Sequence, residues 1–361
     1  CEQVRVEPHG ERELLRDGVA EHEVEAQVPD ALEGEGNLVR ELDGEELHAL
    51  GEEVEGALER AEGVGEAHDG DAVSPRGEVA ELSSSQLGRQ PGKDNMQYTA
   101  VVKRQVSVDD GLTWSEPEVV FPEEGTFSRQ PIQVLSNGRW VYGNWLCTDS
   151  ASGLAGDPSA FQVSDDGGRS WRQVMVPNSA GRVHPTVVEL EDGHLVCLMR
   201  SREADWIYRS ESTDFGDSWT EPVPTPLPNN NSGICAVKLA SGRVAVAYNH
   251  SSAPQAYGQK GACPGLRCPV SVALSEDGCK TFPLIRHIER GQGYVGDENR
   301  SNNMQYEYPC IMQAADGMLH LAYAYETRKG VKWVTLSEAD VMGEKRGGGT
   351  YNPTSGEVGA H

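Results

Sequence analysis

The chain has 361 residues, and 57 acidic side chains against 31 Lys and Arg give it a formal charge of -26, which argues against nucleic acid or an anionic membrane surface as a partner. It contains no run of about 18 apolar residues able to span a bilayer, and its first residues lack the charged-then-apolar order of a secretory signal. The eight cysteines stand without CxxC pairs or histidines at zinc-ligand spacing, so neither a metal nor a cofactor is expected, and they read as buried thiols rather than a disulfide framework.

Residues 1–85 hold 25 acidic and 6 basic side chains, and no Phe, Tyr or Trp occurs before Tyr98. Without bulky side chains to offset chain entropy, this segment is not expected to form a packed core. Leu47, Leu50, Val54 and Leu58 fall at helical spacing, which allows a marginal amphipathic helix over Glu45 to Ala61. Three readings stay open for the segment: solvated disorder, an acidic interaction tail, or a stretch translated out of frame. The organised domain is expected over 96–345, with a tail at 346–361.

Within that domain an eight-residue pattern, S-x-D-x-G-x-S/T-W, repeats. It begins at Ser107, Ser164 and Ser212, and a worn fourth copy runs from Ser275 to Phe282. The copies start 57, 48 and 63 residues apart, a period suited to one four-stranded blade per repeat. Ser and Asp oxygens can satisfy the backbone donors of a tight turn and Gly supplies its unusual backbone angle. The acids of this pattern are therefore structural rather than catalytic. Between the copies, Gln133 to Tyr142, Val187 to Val196, Val237 to Val246 and Ile311 to Ala322 alternate apolar and polar residues about a Gly-containing turn, as inner hairpins do. These features predict an all-β propeller with about five recognisable blades.

Asp boxes together with RVHPTVVELEDGHLVCLMRS and YEYPCIMQAADGMLHLAYAYE make the chain, over about Tyr98 to Tyr351, resemble the sialidase superfamily in its BNR-repeat, sialidase-like branch. The resemblance implies a six-bladed family of retaining glycosidases. Such enzymes use three arginines for a sialic-acid carboxylate, a tyrosine nucleophile assisted by glutamate, and an aspartate acid/base. By position, Arg200 matches the second arginine, Arg267 the third and Tyr308 the nucleophile. His184 stands where the glutamate is expected, and imidazole can act as a general base near neutral pH. The box at Ser107 would close the second blade, so the first blade, which carries the first arginine and the acid, would be missing. Arg129 in SRQP and Asp157 are the candidates for those two roles. Asn229 to Ser232, residues 296–303, and Asp205 with Trp206 are polar or stacking elements able to meet a sugar.

The resemblance implies an acidic glycan as partner and three functions. The first is a sialidase-like glycosidase. The second is a hydrolase or lyase acting on uronate polysaccharide, and the third is a non-catalytic glycan-binding propeller. The arginines could alternatively brace blades through Glu189 or Glu298.

Overall fold

The computed structural model describes residues 39–40, 72–73, 79–85, 97–109, 111–148, 156–252, 267–289, 306–325 and 330–343. The expected helix over Glu45 to Ala61, the 296–303 loop with Glu298, and the 346–361 tail lie outside them. In chain order the strands are β1 (Val39–Arg40), β2 (Ala72–Val73), β3 (Val79–Ser85), β4 (Val101–Ser107) and β5 (Glu118–Phe121). There follow β6 (Thr126–Phe127), β7 (Gln133–Val134), β8 (Trp140–Leu146), β9 (Ser159–Ser164) and β10 (Arg172–Met175). Next come β11 (Arg182–Glu191), β12 (His194–Ser201), β13 (Trp206–Ser212) and β14 (Val223–Pro228). The remainder are β15 (Cys235–Lys238), β16 (Val244–Asn249), β17 (Val270–Ser275), β18 (Leu284–Glu289), β19 (Glu307–Gln313), β20 (Leu319–Tyr325) and β21 (Gly330–Leu336), before a short helix α1 (Glu338–Gly343).

The strands form five antiparallel sheets, one per blade: β2 to β5, β6 to β10, β11 to β14, β15 to β18, and β19 to β21 with β1. The paired structure reaches upstream of residue 96. Strand β3 pairs with β4 from Val79 opposite Ser107 to Ser85 opposite Val101, and Leu82 is buried against Val102 and Phe121. The last sheet takes its outer strand from β1, where Val39 faces Val334. In the other four sheets that place is filled by the strand following an Asp box, which is why the last sheet needs no box. Among the described residues no helix is long and apolar enough to cross a membrane.

The four boxes close their turns alike. In the first, Ser107 Oγ accepts the Gly111 amide at 2.8 Å, while Asp109 accepts the Ser107 hydroxyl and the Thr113 amide, each at 2.8 Å. Asp166, Asp214 and Asp277 repeat the pattern. Gly111, Gly168 and Gly216 adopt φ of 86°, 78° and 86°; the worn copy forces the same left-handed region on Cys279, at φ 64°, where a side chain is uncomfortable.

In the last three boxes the aromatic fastens its turn to the preceding sheet. Trp171 meets Phe121 edge-on at 5.4 Å, and Trp219 stacks on Phe161 at 4.2 Å. Phe282 likewise joins the apolar cluster containing Val188, Leu198 and Ile207. Burial between sheets, rather than within one, therefore holds the blades in order.

Candidate functional site

The innermost hairpins place one equivalent residue from each of four sheets together. Arg129, His184, Gly233 and Tyr308 each stand nine residues before the hairpin glycine of their sheet, namely Gly138, Gly193, Gly242 and Gly317. All four line one small cleft, with Cys235 and Cys310 at its wall. Three side chains there sit on left-handed backbone: His184 at φ 55°, Asn231 at 61° and Tyr308 at 53°. His184 and Tyr308 also mark the register breaks of β11 and β19. Such bulges re-aim side chains, and strain of this kind is held only where the surroundings impose it.

Tyr308 lies among arginines. The Arg129 guanidinium covers its ring 3.8 Å from the centroid, and that of Arg267 lies 5.1 Å away. Burial alone would raise the phenol's pKa, but the charges of Arg267, Arg200 and Arg129, with a hydrogen bond from Arg267, bring it below its ordinary value. Glu307, 3% exposed, holds Arg267 through a 3.0 Å ion pair.

His184 is buried and stacks on Trp145 of the neighbouring sheet, ring centroids 4.3 Å apart. Burial first, then Arg200, Arg129, Arg202 and Arg267, push its pKa well below the usual value, so the imidazole is neutral. Its Nε2 lies 3.4 Å from Arg200 Nη1. Arg has only hydrogens to give, so Nε2 accepts and Nδ1 carries the proton. Arg200 is in turn oriented by Asn231, whose Oδ1 accepts from Nε at 2.7 Å. The Asn229 to Ser232 turn thus serves Arg200, and Asn229, Asn230 and Ser232 are fully buried.

Arg129, His184 and Tyr308 line the cleft, Arg200 and Arg267 lie against them without lining it, and Asp157 is neither in the lining nor in contact with the tyrosine ring. Asp157 is fully buried and accepts from Arg202 at 3.2 Å. Burial raises its pKa, with Arg202 working in the opposite direction. Glu189, considered as a brace for arginine, instead accepts the Ser136 amide and hydroxyl and the Gly193 amide. Asp205 accepts the Tyr208 hydroxyl at 3.0 Å, and Trp206 is 40% exposed.

Sequence reading missed Arg202, Glu307, Trp145 and Gly233, and it named Asn231 within the Asn229 to Ser232 turn as a sugar contact rather than as the partner of Arg200. The nine-residue offset would have found Gly233, and its lack of a side chain matters. A Cβ there would stand 2.9 Å from Tyr308 Cδ1, closer than carbon atoms approach. The cleft itself is narrow, at about 30 Å³, and a roomier groove of about 470 Å³ lies at the outer rim between Arg104, Phe121 and Trp171. The rim groove is lined by box and edge residues and brings none of the arginine–tyrosine cluster together.

Comparison with known proteins agrees with this architecture. Residues 86–321 match the BNR repeat-like domain family. No curated protein matches the chain. Among solved structures, the Hadza microbial sialidase Hz136 is similar with a TM-score of 0.56 at 16% identity, covering 74% of this chain and 51% of that one. NanB sialidase from Streptococcus pneumoniae gives a TM-score of 0.51 at 14% identity over 76% of this chain and 45% of its own. A protein of unknown function from Dyadobacter fermentans gives 0.56 at 17% identity over 74% and 75%. The chain thus spans about half the length of these two sialidases, and the likeness is one of fold. A β-propeller with Asp boxes whose residues 86–321 carry the family's pattern identifies this chain as a member of the BNR repeat-like domain family.

Proposed function

We propose that the axial cleft takes a carboxylate-bearing sugar and that the protein is a sialidase-like glycoside hydrolase with Tyr308 as nucleophile. The observation that carries this reading is the placement of the Tyr308 ring under the guanidinium groups of Arg129 and Arg267, 3.8 and 5.1 Å from its centroid, whose charges favour loss of the phenol proton. A phenol attacks poorly unless its proton is easily lost, and guanidinium groups are suited to carboxylates in two-point contact. The incoming carboxylate draws Arg200 and Arg267 to itself. Release of Arg200 returns the Nε2 lone pair of His184, which accepts the Tyr308 proton as the phenol oxygen bonds to the anomeric carbon and the glycosidic bond breaks, the aglycone oxygen leaving with a proton from solvent. Water then displaces the tyrosine from the sugar, giving one proton to solvent, and the phenol takes its proton back from His184. Asp157, tied to Arg202, braces this wall from behind.

For a sugar to enter, Arg129 has to leave the ring of Tyr308, because ligand pockets are usually about 300 Å³ or larger. Turnover of a fluorogenic sialoside by the wild type and by Tyr308→Phe tests the reading. Release of the fluorophore by the wild type alone supports it, and no release by either refutes hydrolysis of that sugar.

A neutral histidine in the place of a glutamate favours a second reading, proton abstraction from a uronate in a polysaccharide. Its product is an unsaturated uronate, which absorbs in the ultraviolet, whereas hydrolysis leaves a saturated sugar. Burial of Asp157 favours a third, a propeller that binds acidic glycan without turnover.

A further inference from the structure

Two thiols face each other on the wall of the axial cleft. Cys235 opens β15 and Cys310 lies in β19, so they belong to adjacent sheets although 75 residues apart in sequence. Their Sγ atoms are 4.0 Å apart, about van der Waals contact and roughly 2 Å beyond an S–S bond. Cys235 Sγ also lies 3.8 Å from the carbonyl oxygen of Ile311, the residue after Cys310. Cys235 is buried and Cys310 exposed, so a reagent from solvent meets Cys310 first, with the second thiol waiting behind it. Each stands two residues beyond a cleft residue, Gly233 and Tyr308 respectively. The remaining described cysteines, Cys147, Cys197, Cys268 and Cys279, are all buried.

We propose that Cys235 and Cys310 form a thiol–disulfide exchange site that ties the innermost strands of two adjacent sheets beside Tyr308. The oxidant is a low-molecular-weight disulfide. The Cys310 thiolate attacks one of its sulfurs, forming a mixed disulfide and expelling one thiolate. Cys235, having given its proton to solvent, attacks Cys310 Sγ and expels the second thiolate. Two protein thiols are oxidised, one external disulfide is reduced to two thiols, and the inter-sheet bond is left. The bond sets the separation of the two cleft walls and reverses with excess thiol. This inference stands on the sulfur geometry and does not depend on what the cleft binds.

The test uses the full chain incubated with oxidised glutathione, trapped by alkylation and mapped by mass spectrometry after proteolysis. The expected result is a peptide pair joined through Cys235 and Cys310, two hydrogens lighter than the sum of the reduced peptides and restored by dithiothreitol. Cys310→Ser, an exposed position whose change spares the core, should lose it and leave Cys235 alkylatable after unfolding. The cross-linked wild type should melt several degrees above its reduced form, while Cys310→Ser shows no such rise. A persistent glutathione adduct on Cys310, a link from either residue to another cysteine, unmodified thiols, or a linked protein with unchanged Tm would each overturn the proposal.

Discussion

The guanidinium of Arg129 lies over the ring of Tyr308, 3.8 Å from its centroid. One arginine therefore both closes the cleft and, with Arg267 and Arg200, supplies the charge that opposes burial and lowers the phenol's pKa. Removing it should open the site and weaken its electrostatics at once. In ultraviolet titration, the difference between wild type and Tyr308→Phe should show a phenol ionising below its ordinary value of about 10. Arg267→Ala or Arg129→Ala should move that ionisation upward. An unchanged titration in both variants would mean that the cluster does not act on Tyr308.

His184 ties stability to pH. Its folded pKa lies well below its unfolded value because burial and four arginines oppose the charged ring. The unfolded chain therefore takes up a proton below about pH 6.5 that the folded chain does not. Stability is full above that pH and falls as pH drops through it, by about 1.4 kcal/mol per pH unit for each such histidine. His250, lowered to about 3 chiefly by burial, adds to the loss down to that pH. Urea midpoints at pH 7, 6 and 5 should fall progressively, and His184→Gln should show a shallower fall. Parallel curves would contradict a buried neutral His184.

Asp157 and Arg202 form a buried pair at 3.2 Å, 0% and 6% exposed at their side chains. Asp157→Asn leaves the guanidinium without its counter-charge, and such breaks cost about 3–5 kcal/mol. Urea unfolding should register most of that loss. A variant as stable as wild type but inactive would instead mark Asp157 as a catalytic acid.

The box aromatics should rank by coverage. Trp219 is 7% exposed and stacked on Phe161, so Trp219→Ala should cost about 3–5 kcal/mol. Trp114 in the first box is 38% exposed, with Val108 and Leu112 beside it at 76% and 82%. Trp114→Ala should cost roughly 1–2 kcal/mol, and equal losses in calorimetry would show that Trp114 is covered in solution.

Much of this was legible in the sequence because the signals are local. A box turn is closed by atoms within eight residues, and an inner hairpin by alternation about one glycine, so Ser107, Ser164, Ser212 and Ser275 marked their sheets. Arg200 and Tyr308 were named by resemblance from their places about inner hairpins, and Arg267 from its place eight residues before the box at Ser275. Long-range pairing was not legible. Val39 reaches Val334 through an edge strand of two residues, too short to leave a period in so acidic a stretch, and β3 reads VAELSSS, which shows no sustained apolar–polar alternation. The partnership of Asp157 with Arg202 was missed for the same reason: 45 residues separate them, and nothing in either local pattern names the other.

The central claim is an arginine-built site for a sugar carboxylate, and equilibrium titration tests it most directly. Wild type and Arg267→Ala would be titrated with N-acetylneuraminic acid, glucuronate and a neutral hexose. Binding of an acidic sugar but not the neutral one is predicted, with affinity about 10- to 100-fold weaker in Arg267→Ala, the range for losing a hydrogen bond to a charged group. Acidic-sugar affinity that is absent in the wild type, or unchanged by the substitution, would contradict the account.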